Sequence, residues 1–284
     1  LGRKTEVFSS CICATHYRLE YELPENPLVS IIVVNNGSGK GLARLVDSIV
    51  KRTEYDNYEI CIADFGKSSH ETQQFLALAE QEPFIQVRRF GEDVTPAVAC
   101  NQMAESVTGE YLVFLEADME ILDSRWLNRL LMYTMQDDIA VTGSRIIDPG
   151  KFIQEAGYII GIGADGIAHP VEHGNTFSAP GYIGRMYYAH NVSAVSMWGM
   201  MVEKKAFHED GGFNHKLQGV YYLGIDYSLR QRKAGKQVVL EPYIINETHE
   251  LRLTKLDENR VREKDAQEMK AMWGSVLAQG DPYY

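Results

Sequence analysis

The run "PLVSIIVVNN", Pro27 to Asn36, constrains the fold more than any other stretch of this chain. It is apolar at consecutive positions, rich in β-branched residues, and ended by Asn and Gly. A strand with one face in water would alternate apolar and polar, so this pattern predicts a parallel strand buried on both faces. Parallel strands need crossover connections, usually helices, and the chain supplies them. "GLARLVDSIVKRT" carries Leu42, Leu45, Val46, Ile49 and Val50 at helical spacing. "YEICIADFG" (Tyr58 to Gly66) predicts a second strand and "HETQQFLALAEQ" a second helix. "FIQVRRF" (Phe84 to Phe90) predicts a third strand and "AVACNQMAESV" a third helix. Strands alternating with helices predict an α/β fold with a doubly wound sheet.

In such sheets ligands bind beyond the carboxyl ends of the strands. Asp64 ends the second predicted strand. "GEYLVFLEADMEIL", Gly109 to Leu122, ends an apolar run with Glu116 and Asp118, and Glu120 follows. Side chains two apart on an extended segment point the same way, so Glu116 and Asp118 present two carboxylates together. Two adjacent anions attract a cation, and oxygen ligands suit Mg²⁺ or Mn²⁺, which take further ligands from substrate phosphates. The bland alternative is that the acid pair caps a turn or helix. A dinucleotide fingerprint is absent: after the first strand, "NNGSGKG" places its third glycine too early. The Walker pattern is absent as well.

The net charge of −11 and the lack of a basic stripe argue against nucleic-acid binding. No apolar run reaches the roughly 18 residues of a membrane helix, and "LGRKTEVFSS" does not read as a signal peptide. The chain begins without Met, which suggests a domain excised from a longer protein or a tag-cleaved product. Cys11, Cys13, Cys61 and Cys100 fit no zinc spacing and read as reduced thiols of a cytoplasmic protein.

Taken in order, "VSIIVVNN", "YEICIADFG", "GEYLVFLEAD" and "GGFNHKL…YSLRQRKAGKQVV" resemble the family-2 glycosyltransferases. "DPGKFIQEAGYIIGIG", "GYIGRMYYAHNVSAVS", "EKKAFHEDGGF" and "MWGSVLAQGDPYY" resemble a bacterial subgroup that assembles rhamnan- and O-antigen-type polysaccharides. The likeness runs from about Pro27 to Tyr284. It implies a GT-A fold, a doubly wound mixed sheet flanked by helices. It implies one glycosyltransferase domain at 27–255; residues 1–26, with Tyr17, Leu19 and Tyr21 alternating, read as an extended lead-in, and 256–284 as a docked helix. It also implies a nucleotide-diphosphate sugar donor, Mn²⁺ or Mg²⁺, and a glycan or glycoconjugate acceptor. The expected location is the cytoplasm, with other domains of a longer chain as a route to the periphery of the inner membrane.

By the same resemblance, Asn35, Asp64 and Asn101 match positions at the nucleotide. Glu116 and Asp118 fall at the DxD-like position, where the last acid binds the metal. His249, in "NETHEL", matches a residue that completes the metal or diphosphate site, and Trp198, Gly199 and Gly212 match the wall of the sugar and acceptor pocket. The implied mechanism is inverting displacement, in which a carboxylate takes the proton of the acceptor hydroxyl. The matching segment reads "YLGIDYSLR", which puts Gly224 where the family's base stands. Asp226 is then the nearby acid left for that role, or it caps the helix beginning there. A module that has lost catalysis and serves binding or scaffolding is the rival reading.

Other features read as structural. Met197, Trp198, Met200 and Met201 suit core packing beneath the pocket, and His190 suits a loop packed on the sheet. Asp165, His169 and His173 raise a second metal as a minor alternative to a loop over the acceptor side. Asp257 to Gly274 is an amphipathic helix with Met269, Met272 and Trp273 as its docking residues, and the chain's end at "DPYY" reads as a domain cut.

Overall fold

The computed structural model describes residues 4–9, 16–37, 39–66, 69–91, 93–249 and 256–284, with backbone alone at 256–260. The elements run β1 (Thr5–Ser9), β2 (Tyr17–Tyr21), β3 (Val29–Asn35), α1 (Gly39–Arg52), β4 (Tyr58–Asp64), α2 (His70–Ala79), β5 (Ile85–Arg89) and α3 (Pro96–Ser106). They continue with β6 (Tyr111–Glu116), β7 (Met119–Ile121), α4 (Trp126–Thr134), β8 (Ile139–Ile147), β9 (Ile153–Glu155), β10 (Tyr158–Ile160) and β11 (Ala168–Pro170). A 3₁₀ segment (Tyr182–Tyr187) precedes β12 (His190–Asn191), β13 (Met200–Glu203), α5 (Lys204–Glu209), α6 (Leu223–Lys233), β14 (Gln237–Thr248) and α7 (Leu256–Leu277).

The main sheet has the order β12-β14-β8-β13-β6-β3-β4-β5, with β7 on β14 and β9 on β8. The half formed by β6, β3, β4 and β5 is parallel, and every residue of β3 is buried. The other half is mixed, because β13 runs antiparallel to both β6 and β8. Helix α1 buries Leu42, Leu45, Val46 and Ile49 against the sheet, while Val50, which the spacing assigned to the same face, is 47% exposed.

Parallel register brings strand ends together. Asn35 lies opposite Asp64 at the ends of β3 and β4, and Val34 lies opposite Glu116 at the end of β6. The antiparallel pair β7–β14 then sets Glu120 opposite Glu247, and the His249 N–H donates to the Asp118 carbonyl at 3.1 Å. One end of one sheet thus collects polar residues drawn from most of the chain.

The first residues do more than lead in. β1 and β2 form an antiparallel hairpin of their own, with Thr5 opposite Tyr21. It docks through the buried Glu20, which ion-pairs with Arg125 and lies 3.7 Å from Arg129. Arg18 also stacks on Tyr243 of β14, 4.9 Å from the ring centre.

Cys61 and Cys100 are free and buried, and burial pushes both thiols up to about 12, so they pack as small apolar groups. Cys11 and Cys13 lie outside the described residues. At the other end, α7 docks through Met269, Trp273 and Leu277, while Met272 sits at the rim, 37% exposed. Asp265 strengthens the dock by accepting the N–H groups of Gln218 and Gly219 at 2.9 and 2.8 Å. No helix among the described residues is long and apolar enough to cross a membrane.

Candidate functional site

The site is built on strand ends. Asn35 donates through Nδ2 to Asp64 Oδ1 at 2.8 Å, and Gln73 of α2 donates to Asp64 Oδ2 at 3.3 Å. Both Asn35 and Asp64 are fully covered. The sequence places Asp64 at an open crevice; in the structure its carboxylate is fully covered, in a polar cradle formed with Asn35 and Gln73.

Beside this pair stands a charged group centred on His249. Its Nε2 lies 3.2 Å from Glu247 Oε1 and 3.5 Å from Glu120 Oε2. One ligand atom from each of Glu120, Glu247 and His249 falls within 4.8 Å of the others, the spacing of donors around a single cation. Two carboxylates and an imidazole suit a hard divalent ion, with the imidazole favouring Mn²⁺ over Mg²⁺. Asp118 adjoins this group through its carbonyl, while its carboxylate faces Arg44 at 3.6 Å. The predicted pair Asp118 and His249 is therefore brought together, with Glu120 and Glu247 added between them. Glu247-x-His249 has the same two-residue spacing that flagged Glu116-x-Asp118, and this was the available signal.

The anions of this group are matched by cations. Arg52 bonds Glu120 at 2.9 Å, Arg44 approaches Glu120 at 4.0 Å, and Lys151 pairs with Glu247. Glu116 sits at the end of β6, with its N–H directed at Met119 Sδ at 3.4 Å.

Three predicted residues do not join the site. Asn101 donates to the Phe213 carbonyl and accepts from its N–H, both at 2.8 Å, so its amide ties α3 to the loop after α5. A Cβ at Gly212 would lie 2.4 Å from Asn101 Oδ1, which explains the glycine there by packing against this tie. Trp198 is 2% exposed and belongs to the core with Met197, Met200 and Met201. The turn that carries it is pulled inward by the Gly199 N–H, which bonds the Phe114 carbonyl at 2.7 Å.

Asp226 is the third. It is 1% exposed and lies in the first turn of α6. Its Oδ1 accepts from the Trp273 indole at 2.9 Å and its Oδ2 from Arg230 Nε at 3.0 Å. A general base needs an oxygen free to take the acceptor's proton; both oxygens of this carboxylate are already bonded, at the wall of a cavity of about 500 Å³ that it lines with Arg230 and Trp273. It is not the helix cap either, since Tyr222 holds that position without a side-chain bond.

Gly224 is explained by packing. A Cβ there would fall 2.2 Å from the Met197 nitrogen and 2.6 Å from the Val195 carbonyl oxygen. The backbone of 195–197 occupies the space in which a base at this position would begin.

The remaining candidates are structural. Asp165 accepts from the Tyr222 hydroxyl at 2.6 Å and the Ile167 N–H at 2.9 Å, and so braces the loop beneath α7. The rings of His169 and His173 are 6.3 Å apart, and His173 Nδ1 bonds the Gln154 carbonyl. His190 is held by the Tyr188 carbonyl, and burial lowers its pKa.

The sequence profile described as Glycosyl transferase family 2 matches residues 29–207. The O-antigen biosynthesis protein RfbC of Myxococcus xanthus is 28% identical over 295 residues, covering 100% of this chain and 22% of that protein. The uncharacterized protein y4gI of Sinorhizobium fredii (strain NBRC 101917 / NGR234) is 27% identical over 234 residues, 80% of this chain and 25% of its own length. The chain thus spans about a quarter of each of these relatives. Among solved structures, GalNAc-T7 with UDP, GalNAc and Mn²⁺ superposes with a TM-score of 0.65 at 18% identity, over 81% of this chain and 45% of that one. The mannosyltransferase PcManGT of Pyrobaculum calidifontis, in complex with GDP-Man and Mn²⁺, gives 0.57 at 14% identity, over 90% and 65%. At these identities the likeness concerns the fold, which is GT-A, with its mixed sheet flanked by helices.

Proposed function

Since the chain belongs to glycosyl transferase family 2, we propose that it binds a nucleotide-diphosphate sugar with a divalent cation and transfers the sugar with inversion to a glycan acceptor. The observation that carries this reading is the convergence of Asp64, Asp118, Glu120, Glu247 and His249 at the carboxyl ends of one sheet. Asp64, fully covered and held by Asn35 and Gln73, would hydrogen-bond the nucleoside by exchanging the long 3.3 Å bond from Gln73, a half-buried side chain of α2 able to swing aside, for one from the ligand. Glu120, Glu247 and His249, with Asp118 beside them, would hold the cation. Once bound, that cation neutralises charge on the diphosphate leaving group. The bound species of the two solved structures, nucleotides with Mn²⁺, support the same donor class. The O-antigen relative supports a polysaccharide acceptor and a place in a longer assembly protein.

Inversion needs the acceptor oxygen to attack opposite the diphosphate and lose its proton. Gly224 supplies no carboxylate for that proton, and both oxygens of Asp226 are already bonded to Arg230 and Trp273. General-base help contributes roughly 10²–10⁴-fold, so transfer by this domain is slow relative to its donor binding. The rival reading, a binding or scaffolding module, is favoured by this same feature. Incubation with UDP-, dTDP- and GDP-sugars and Mn²⁺, followed by proton magnetic resonance of the released sugar, separates the readings. An inverted anomer as first product is expected. A retained anomer would contradict the mechanism, and donor binding with no released sugar would favour the module.

A further inference from the structure

Lys151 holds a backbone conformation that suits glycine. Strands β8 and β9 form a hairpin with Ile147 opposite Ile153, and Lys151 lies in the connecting loop at φ 64°. A side chain disfavours that region, which in hairpin loops usually falls to Gly or Asn. The loop is fixed by its backbone: the Lys151 N–H donates to the Asp148 carbonyl, and its own carbonyl accepts from the Phe177 N–H, both at 2.9 Å. Phe152 N–H closes the turn on Asp148 Oδ1 at 2.9 Å. Nothing in this geometry requires a lysine, so the reason for it lies at the end of its side chain.

That end reaches the charged group. The ammonium pairs with Glu247 Oε2, while Glu247 Oε1 faces His249. Arg44 and Arg52 approach the same group from α1, and Arg44 is also bonded to the Asp118 carbonyl at 3.4 Å. Lys151 comes from a different element, and its side chain is 49% exposed, so it has room to move. The lysine is half-exposed while Glu247 is buried, so the pair steadies a buried carboxylate rather than the loop, which its backbone bonds already hold. A diphosphate does need cations here, because Asp118, Glu120 and Glu247 would repel it.

We propose that Lys151 is a diphosphate-binding residue. Its ammonium moves from Glu247 to the phosphate oxygens when a nucleoside-diphosphate donor arrives. A lysine suits this task, being a compact charge with three donors on a flexible stem. The proposal rests on the donor reading above.

The test is calorimetry of UDP, dTDP and GDP, and of their monophosphates, with saturating Mn²⁺. Wild type is compared with Lys151→Met, Lys151→Gly and Lys151→Arg. Loss of the cation should weaken diphosphate binding about ten-fold or more in both Met and Gly variants. Monophosphate binding should change less than about two-fold, and Lys151→Arg should recover most of the loss. The Gly variant, freed of backbone strain, keeps the comparison valid if Lys151→Met folds poorly. Mn²⁺ affinity without nucleotide is then measured in the same variants. Weakened diphosphate binding at unchanged Mn²⁺ affinity shows direct contact; an equal change in both shows that the lysine acts only through Glu247, and overturns the proposal. Unchanged diphosphate affinity in both variants, when wild type binds, overturns it alone. If wild type binds none of the three diphosphates, the donor reading fails and the proposal falls with it.

Discussion

The two halves of the candidate active site differ in what their polar side chains are bonded to. On the donor side, parallel strand ends bring Asn35 to Asp64, and the β7–β14 pair brings Glu120 to Glu247 and His249. On the acceptor side, the positions expected to do chemistry are consumed by packing. Gly224 touches the backbone of 195–197, and Asp226 is clamped between Trp273 and Arg230. Under the proposed reading, binding and proton transfer would be separable: one half gathers polar atoms at strand ends, while the other uses its polar atoms to seat α7.

If that contrast is right, a carboxylate cannot simply be restored. Gly224→Asp would drive a Cβ into the Met197 nitrogen and bury an unpaired charge. It should cost about 4 kcal/mol or more, read as a lost or sharply lowered urea midpoint, with no gain in transfer. A folded Gly224→Asp protein of normal stability that transfers sugar would show that the acceptor side is open.

A second effect comes from outside both halves. Glu241 on β14 is fully buried, and desolvation raises its pKa from the ordinary 4.5 to about 7. The folded protein then keeps a proton that the unfolded chain releases above about 4.5. Stability therefore falls as pH climbs from about 4.5 to about 7 and levels off above that. Glu241→Gln should remove this slope, a difference of roughly 3 kcal/mol by pH 8. Urea melts at several pH values check it; parallel profiles for the two proteins would contradict it.

Next is Asp226→Ala, which strips α7 of its bond from Trp273 and α6 of its pair with Arg230. Arg230 keeps the carbonyls of Asp210 and Gly212, so the loss should be about 2 kcal/mol. Nucleotide affinity should stay within about two-fold of wild type, since the clamp is not on the donor side. A large drop in nucleotide affinity at full stability would return Asp226 to the active site.

The smallest change belongs to Asp64→Asn. It should weaken nucleotide binding by about 1.5 kcal/mol and lower stability slightly, because the covered carboxylate also accepts from Asn35 and Gln73. Unaltered binding in the folded variant would remove Asp64 from the nucleotide site.

The fold was readable because β3, β4 and β6 announce themselves locally: uninterrupted apolar runs separated by helical spacing. The positions of Asp64, Asp118 and His249 at or just past strand ends were readable because those strands are, while their roles remain part of the proposal. Glu120 and Glu247 were not assigned, since only the antiparallel pairing of β7 with β14 brings them together. Asn101 and Asp226 were misread for the converse reason. Each is a plausible polar ligand in sequence, yet its hydrogen bonds go to Phe213 or Trp273, partners far along the chain. The resemblance identified Gly224 as a missing base, but only the approach of residues 195–197 explains why nothing else fits there.

The central claim is that diphosphate binding runs through a cation held at Glu120, Glu247 and His249, beside Asp118. Calorimetry with UDP, dTDP and GDP tests it directly, in Mn²⁺ and then in EDTA, for wild type, Asp118→Ala and His249→Ala. The account predicts that at least one diphosphate binds wild type with Mn²⁺, and that its affinity falls about ten-fold or more in EDTA and in either variant. Equal affinity with and without metal, or in the folded variants, would contradict it.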